Sequence, residues 1–274
     1  MKYAKAWQSV HGETLVKRIA GLASIAAVLL SLIPVARADE LKVLSAGTMH
    51  FALKDVGDNF TRMTGTKLAL TFDGAGGVKT KIEEDEPADV VILPKPDIAA
   101  LVKAGKIAPD SVHDIALTEL SIAVRKGQPK PDIRSLAAVK EALLEAKTIA
   151  YFGAAFGGAD GVLAERDFAR LGIANEVAAK AKLWRSVEEV IAEKNADLLV
   201  GWQPPLLSKA ADYEFVGPLP PELQDPEHST WTAGVATRSV DIDRAKDFTR
   251  VLASPESLRV YKAKGYAAPL ERTN

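Results

Sequence analysis

Short apolar runs alternate with amphipathic stretches along almost the whole chain after residue 40. The runs "LKVLSA", "KLALTF" and "ADVVIL" have the composition of buried strands, and helical spacing of apolar residues follows each of them, at 50–63, 77–84 and 96–104. Later strand-like runs are "ELSIAVRK", "TIAYFG", which precedes a helical pattern over 160–171, and "ADLLVGW". This alternation predicts an α/β fold with parallel sheets, in which ligands bind at the carboxyl ends of the strands.

Two segments without such periodicity bracket the central part of the chain. The first, "RKGQPKPDIRS", is rich in proline and lysine, and the second, "GPLPPELQDPEHST", is rich in proline and acidic residues. Both are typical of exposed connections. No internal repeat is evident, which excludes a solenoid.

The N-terminal segment has the pattern of a secretory signal. A basic stretch ends at Lys17 and Arg18, the apolar run "IAGLASIAAVLLSLI" follows, and Pro34 precedes the small-x-small site at 36–38. The apolar run is shorter than the roughly 20 residues that a membrane-spanning helix needs. We therefore predict a signal peptide over 1–38, cleaved after Ala38, and a periplasmic mature chain; a retained anchor is the alternative.

Composition narrows the possible partners. The chain contains no cysteine, which excludes a disulfide framework and a lipidated cysteine after the signal, so a soluble monomer is expected. The formal net charge is −1, and the predicted leader is itself basic, so nucleic acid and anionic lipid are not expected partners. The histidines lack metal-ligand spacing, and therefore neither a metal nor another cofactor is expected.

The stretch "LTFDGAGGVKTKI" at 70–82 places four small residues, Gly74, Ala75, Gly76 and Gly77, between a predicted strand and a helix that begins near Val78. The spacing fits neither a phosphate-binding P-loop nor a dinucleotide fingerprint. Two interpretations remain. The stretch is either an anion site made of backbone N–H groups at a helix N-terminus or an ordinary strand-to-helix turn.

Two other predicted strand-to-helix junctions are equally low in side-chain bulk. In "LSAGTMHFALKDVGDNF", Thr48 is the predicted helix N-cap. In "IAYFGAAFGGADGVLAERDFARLGI", the junction contains Phe156, Gly157 and Gly158. Three such junctions predict that backbone donors converge on one small anionic ligand.

Four stretches together resemble a known family: "SAGTMHFALKDVGDNF", "EPADVVIL", "IAYFG" with "RLGIA", and "NADLLVGWQ". From about Leu41 to Pro269, the chain resembles the periplasmic molybdate-binding-like solute-binding proteins of ABC importers. The resemblance implies a type II clamshell of two α/β lobes with two hinge crossings, near "LSIAVRK" and "WTAGVAT", that closes on a small anion for an inner-membrane ABC permease. Lobe one would be 39–120 plus 230–274, and lobe two 121–229.

The chain departs from the molybdate pattern of that family at two places. Thr48 occupies the first hydroxyl position, but the serine-rich second junction has become Gly74 to Gly77, and Trp202 stands where the family has a tyrosine. The loss of a hydrogen-bond donor to a charged oxygen costs roughly 1.5–3 kcal/mol. The resemblance with these departures predicts a small organic carboxylate as the ligand rather than molybdate.

Several polar side chains are candidate ligand contacts. By analogy with the family, Arg185 lies at the start of a lobe-two helix that faces the cleft, where it would grip a carboxylate in a bidentate manner; it is otherwise a solvated surface arginine. Lys79 is a similar but weaker candidate, and Gln203 could donate an amide hydrogen bond. His50 either faces the cleft or is structural or exposed.

The chain also resembles periplasmic aconitate isomerase, which moves a proton along a tricarboxylate without a cofactor. Such chemistry needs carboxylate clamps and one positioned base. In this chain Arg185, Lys79 and the backbone amides of the junctions would supply the clamps, and His50 would be the base. Two functions therefore remain, a receptor for an ABC importer and an isomerase of cis- and trans-aconitate.

Overall fold

The structure is a computed structural model and describes residues 40–270. The predicted signal peptide and its cleavage site after Ala38 lie outside the described residues. Within residues 40–270, no helix is long and apolar enough to cross a lipid bilayer.

The first of two five-stranded sheets has the strand order β2-β1-β3-β10-β4. β1 is parallel to β2 and β3, whereas β10 is antiparallel to β3 and β4. Its strands are β1 Glu40–Ala46, β2 Lys67–Asp73, β3 Val90–Pro94, β4 His113–Leu117 and β10 Thr230–Val235.

The second sheet has the same kind of topology, with the order β7-β6-β8-β5-β9. β6 is parallel to β7 and β8, and β5 is antiparallel to β8 and β9. Its strands are β5 Leu120–Arg125, β6 Ile149–Phe152, β7 Ala181–Trp184, β8 Leu198–Trp202 and β9 Tyr213–Pro218.

Helices connect the strands of both sheets. They are α1 His50–Thr64, α2 Ala75–Glu83, α3 Lys95–Lys103, α4 Leu136–Glu145, α5 Ala159–Arg170, α6 Ala174–Ala178, α7 Val187–Ala192, α8 Gln203–Ser208, α9 Pro226–Ser229, α10 Ile242–Leu252 and α11 Pro255–Ala263. The second helix begins at Ala75, not near Val78 as expected, because the small residues form its first turn.

Local sequence explains the central elements. Every residue of β3 is buried, as expected for a strand that is covered on both faces. α1 buries its apolar side, and its Phe60 ring lies 4.9 Å from Phe248 of α10. α1 ends at Gly65, whose φ of 75° is the left-handed conformation that glycine adopts without strain. These contacts build one core around the first sheet.

The chain passes between the two sheets twice. It leaves the first sheet after Leu117 and enters the second at Leu120, and it leaves the second after Pro218 and returns to the first at Thr230. The predicted α/β clamshell of two lobes with two hinge crossings is confirmed. The stretches "LSIAVRK" and "WTAGVAT" follow the crossings and form buried strands of the sheets themselves, β5 and β10.

A pair of buried tryptophans joins the lobes beside the crossings. Trp231 of β10 and Trp202 of β8 meet edge to face, with 6.2 Å between their ring centroids. The Trp231 indole N–H donates to the hydroxyl of Thr118, which lies in the first crossing, at 3.0 Å. The base of the cleft is therefore packed with aromatic rings.

Candidate functional site

A cavity of about 420 Å³ lies between the carboxyl ends of β1 and β2 on one lobe and those of β6, β7 and β8 on the other. Cavities of this size are typical of sites for small molecules. Both lobes line it, so its contents contact both halves of the clamshell. Among residues 40–270, no group of three or more metal-ligating side chains lies close enough together to hold a metal ion.

The lining of the cavity is mostly apolar. Aromatic and aliphatic side chains line it from both lobes: Phe51, Leu70, Phe72, Phe152, Trp184, Val190, Leu206 and Trp231. Hydroxyl groups come from Thr48, Thr71 and Ser186. The arrangement favours a ligand with a carbon skeleton over a bare oxyanion, because an oxyanion gains little from apolar walls.

The first junction reaches the cavity through Thr48, although its predicted role as a helix cap is wrong. Thr48 lies within a short 3₁₀ turn, Gly47–Met49, that precedes α1, and Met49, the N-cap position of α1, makes no side-chain cap. The buried phenol of Tyr266 donates a hydrogen bond to the Thr48 carbonyl and holds this junction in place. Thr48 therefore lines the cavity instead of closing a helix end.

The second junction uses its glycines for close contact between the lobes. The Gly74 N–H donates to the Asp73 carboxylate at 2.7 Å, and the Gly76 N–H donates to the Gly157 carbonyl of the other lobe at 3.4 Å. A Cβ on Gly74 would lie only 2.8 Å from the Phe156 carbonyl oxygen. Both amides thus have protein acceptors, and the junction is chiefly a turn on which the other lobe rests.

The remaining residues of the second junction lie differently. Gly74 and Ala75 line the cavity, whereas Gly76 and Gly77 do not contribute to its lining. A Cβ on Gly77 would lie 2.9 Å from the Asp73 carboxylate, which is paired with Lys81 at 2.9 Å. That carboxylate already sits beside the first turn of α2, where an anionic ligand was expected.

The third junction contributes its last residues. Gly158, Ala159 and Asp160 line the cavity at the first turn of α5. Phe156 is 43% exposed and lies outside the lining, and so does Gly157, which adopts a φ of 79° and rests on Gly76. Three helices of eight or more residues, α1, α2 and α5, thus begin at the cavity, and their dipoles favour negative charge there.

Arg185 lies at the cavity with its guanidinium engaged. Its Nε and Nη2 atoms donate to Glu189 Oε1 at 2.9 and 2.5 Å, and 66% of its side chain is exposed. The hydrogen bond from Arg185 lowers the pKa of the Glu189 carboxyl. A ligand carboxylate would have to displace Glu189 to reach the guanidinium fork.

His50 lines the cavity and faces a carboxylate from the opposite lobe. Its ring stands edge to face against Phe72, with 5.0 Å between centroids, and against Phe51 at 5.7 Å. Hydrogen bonds from the Glu188 backbone N–H and from Ser186, and the electrostatic interaction with His50, lower the pKa of Glu188. His50 therefore lines the cavity and interacts electrostatically with Glu188 of the other lobe.

Three predicted contacts lie away from the cavity lining. Lys79 is paired with Asp97 at 3.1 Å. Trp202 is 0% exposed and packs behind the cavity against Trp231. Gln203 lies beside Gly265, where a Cβ would be 3.3 Å from its Cγ.

Sequence reasoning missed several lining residues, above all Asp160, Ser186 and Glu188. Asp160 follows the third glycine junction directly, so its position in the first helical turn was available as a signal. Ser186 accepts a hydrogen bond from the Glu189 N–H at 3.3 Å, and the Ser-x-x-Glu spacing of a capping box was visible in "RSVEE". Trp184 and Trp231 carried no such signal, because apolar residues at strand ends look alike.

The chain matches a protein family over residues 41–267, described as bacterial extracellular solute-binding protein. It belongs to that family. Proteins of this kind are the ligand receptors of ABC transporters. Among curated proteins, an aconitate isomerase from a Pseudomonas species is 29% identical over 234 residues, covering 82% of this chain and 86% of the relative.

Solved structures of the same fold include two receptors for inorganic anions. The periplasmic molybdate-binding protein of Azotobacter vinelandii aligns with a TM-score of 0.70 and 20% identity, over 84% of this chain and 100% of that one. The sulfate-binding protein of Mycobacterium tuberculosis aligns with a TM-score of 0.66 and 18% identity, over 85% and 88%. At these identities the likeness concerns the fold alone.

Proposed function

We propose that this family member is a periplasmic receptor that captures a small organic carboxylate for an inner-membrane ABC importer. The observation that carries this proposal is the wall of the cavity, which is aromatic and aliphatic on both lobes. A carbon skeleton gains hydrophobic stabilisation from such walls, whereas a tetrahedral oxyanion needs a hydrogen-bond donor for nearly every oxygen. The proposal includes export with cleavage after Ala38 and action as a monomer.

The polar groups suit the carboxylate end of such a ligand. The N-termini of α1, α2 and α5 supply a favourable electrostatic field, and Thr48 supplies a hydroxyl donor. Arg185 would add a bidentate contact from lobe two once Glu189 releases it. Lys79 and Gln203 lie outside the lining and are not part of this proposed contact.

Calorimetric titration should separate organic from inorganic anions. We expect binding of trans-aconitate or another di- or tricarboxylate and molybdate binding at least about 100-fold weaker, because two missing donors cost roughly 3 kcal/mol or more. The same preparation titrated with sulfate is the control for general anion binding. Tight molybdate binding together with no heat from any carboxylate would refute the proposal.

An isomerase is the second candidate, because His50 lines the cavity and a 29% identical relative is named for that activity. As a receptor, the protein should not interconvert cis- and trans-aconitate beyond a protein-free blank, which chromatography measures. His50→Gln should retain most of the carboxylate affinity, since a receptor needs no base. Turnover that this substitution abolishes, with binding retained, would establish the isomerase instead.

A further inference from the structure

Asp160 brings a carboxyl group into the cavity with no cation beside it. Its side chain is 8% exposed, lines the cavity and lies in the first turn of α5. A Cβ on Gly201 would lie 3.2 Å from Asp160 Oδ2, so the carboxyl packs closely against β8. Across residues 40–270, no lysine, arginine or histidine forms an ion pair with it.

The surroundings of Asp160 have two opposite effects on its pKa. Burial, the larger effect, raises the pKa of Asp160, while the backbone N–H groups of Asp160, Gly161 and Trp202 lower it, and the result is a pKa of about 6. The free receptor therefore carries Asp160 mostly ionised at neutral pH. A modest further rise in the pKa of Asp160 would protonate it at neutral pH.

The other ionisable groups that face the cavity leave this charge unbalanced. Asp73 is paired with Lys81, Arg185 is paired with Glu189, and Glu188 lies near His50. β8, which packs against Asp160, presents Gly201 to the cavity, and α8 lines the cavity with Pro205 and Leu206. A ligand carboxylate therefore meets a like charge that no side-chain cation balances, in a largely apolar cavity where the repulsion is strong.

We propose that Asp160 takes up one proton from solvent when a carboxylate ligand enters the cavity, so that the receptor binds the anion and the proton together. The inference rests on the proposed function. The protonated carboxyl removes the repulsion and donates its O–H to a ligand oxygen, which an ionised carboxylate cannot do. Asp160 thereby selects ligands that offer an acceptor at this end of the cavity.

Proton uptake is measured directly by calorimetry of wild-type protein with trans-aconitate in buffers of different ionisation enthalpy. At about pH 7.5 we expect uptake approaching one proton per ligand, and affinity that falls by up to about tenfold for each pH unit above neutral. The sign follows because a reaction that consumes a proton weakens as protons become scarce.

Asp160→Asn is the matched variant, since its amide keeps the size and a donor but binds no proton. It should bind without the uptake and with a flat pH profile apart from the titration of the ligand itself, and at about pH 8 it should bind at least as tightly as wild type. Infrared difference spectra should show a protonated carboxyl band on binding in wild type and not in the variant.

His50→Gln is the control for the histidine that lines the cavity, and it should retain the uptake. Binding by wild type without proton uptake, or uptake that survives Asp160→Asn and disappears in His50→Gln, would overturn the inference while leaving the receptor proposal intact. The absence of carboxylate binding by every variant at every pH would overturn both.

Discussion

Replacement of Gly74 by alanine should weaken carboxylate binding by about 30-fold or more, close to 2 kcal/mol, without unfolding the protein. The new Cβ would lie 2.8 Å from the Phe156 carbonyl oxygen and 3.1 Å from that of Gly157, which are backbone atoms of the other lobe. Those atoms cannot rotate away as a side chain can, so the lobes would stay further apart. The fold should survive, because the φ of −57° at Gly74 suits alanine.

Gly76→Ala is the matched control for this prediction. Its Cβ would lie 3.6 Å from the nearest atom of the other lobe, the Gly157 Cα, which is ordinary contact, so affinity should change little. Calorimetry gives the affinities, small-angle scattering with and without ligand gives the closure, and thermal melting checks the fold. Equal affinity and equal closure in wild type and Gly74→Ala would contradict the interpretation of the junction as a contact between lobes.

Replacement of Gly161 by alanine should destabilise the protein by about 3 kcal/mol or more, at or beyond the upper end of the usual cost of overpacking. The new Cβ would lie 1.9 Å from the Phe152 carbonyl oxygen and 2.8 Å from the Ala154 N atom. Both belong to the junction that connects β6 to α5. The helix would have to move away from the strand, and this would also displace the cavity wall at Asp160.

Gly57→Ala provides the comparison within another helix. Its Cβ would meet the Leu68 Cδ1 atom at 3.0 Å, the end of a side chain that can rotate. Alanine is favoured over glycine inside a helix by about 1 kcal/mol, so Gly57→Ala should be neutral or stabilising. Urea unfolding of both variants gives the free energies. If the free energy of unfolding of Gly161→Ala lies within about 0.5 kcal/mol of the wild-type value, the backbone between β6 and α5 adjusts to the new Cβ more easily than its geometry implies.

The strands and the edge that carries the site were predictable from the sequence for a physical reason. The runs "LKVLSA", "KLALTF" and "ADVVIL" lie within β1, β2 and largely β3. β3 is buried throughout and is therefore continuously apolar, whereas β2, at the edge of the sheet, keeps partly exposed residues. Within each sheet the carboxyl ends of the parallel strands share one edge, and the cavity lies between these two edges, so the junctions at Thr48, Gly74 and Gly158 all reach it.

Side-chain direction depended on contacts distant in sequence. Lys79 lies on α2 but pairs with Asp97 of α3, and Trp202 turns towards Trp231 at the crossing. No local pattern specifies such partners, because they come from packing between elements that are far apart along the chain. The predicted helix cap at Thr48 was wrong for a similar reason, since Thr48 lies within a 3₁₀ turn before α1 and Tyr266 holds this junction from the C-terminal region.

The sequence by itself determined that the junction at 74–77 has almost no side-chain bulk, and hence that its backbone can be approached closely. Only the tertiary structure decided what comes close, which is the backbone of Phe156 and Gly157 from the opposite lobe. It likewise decided that Asp160 is a buried cavity carboxyl and not a solvated helix residue. The physical reason is the same in both cases, because proximity between lobes is created by closure of the whole clamshell and leaves no periodic trace in the chain.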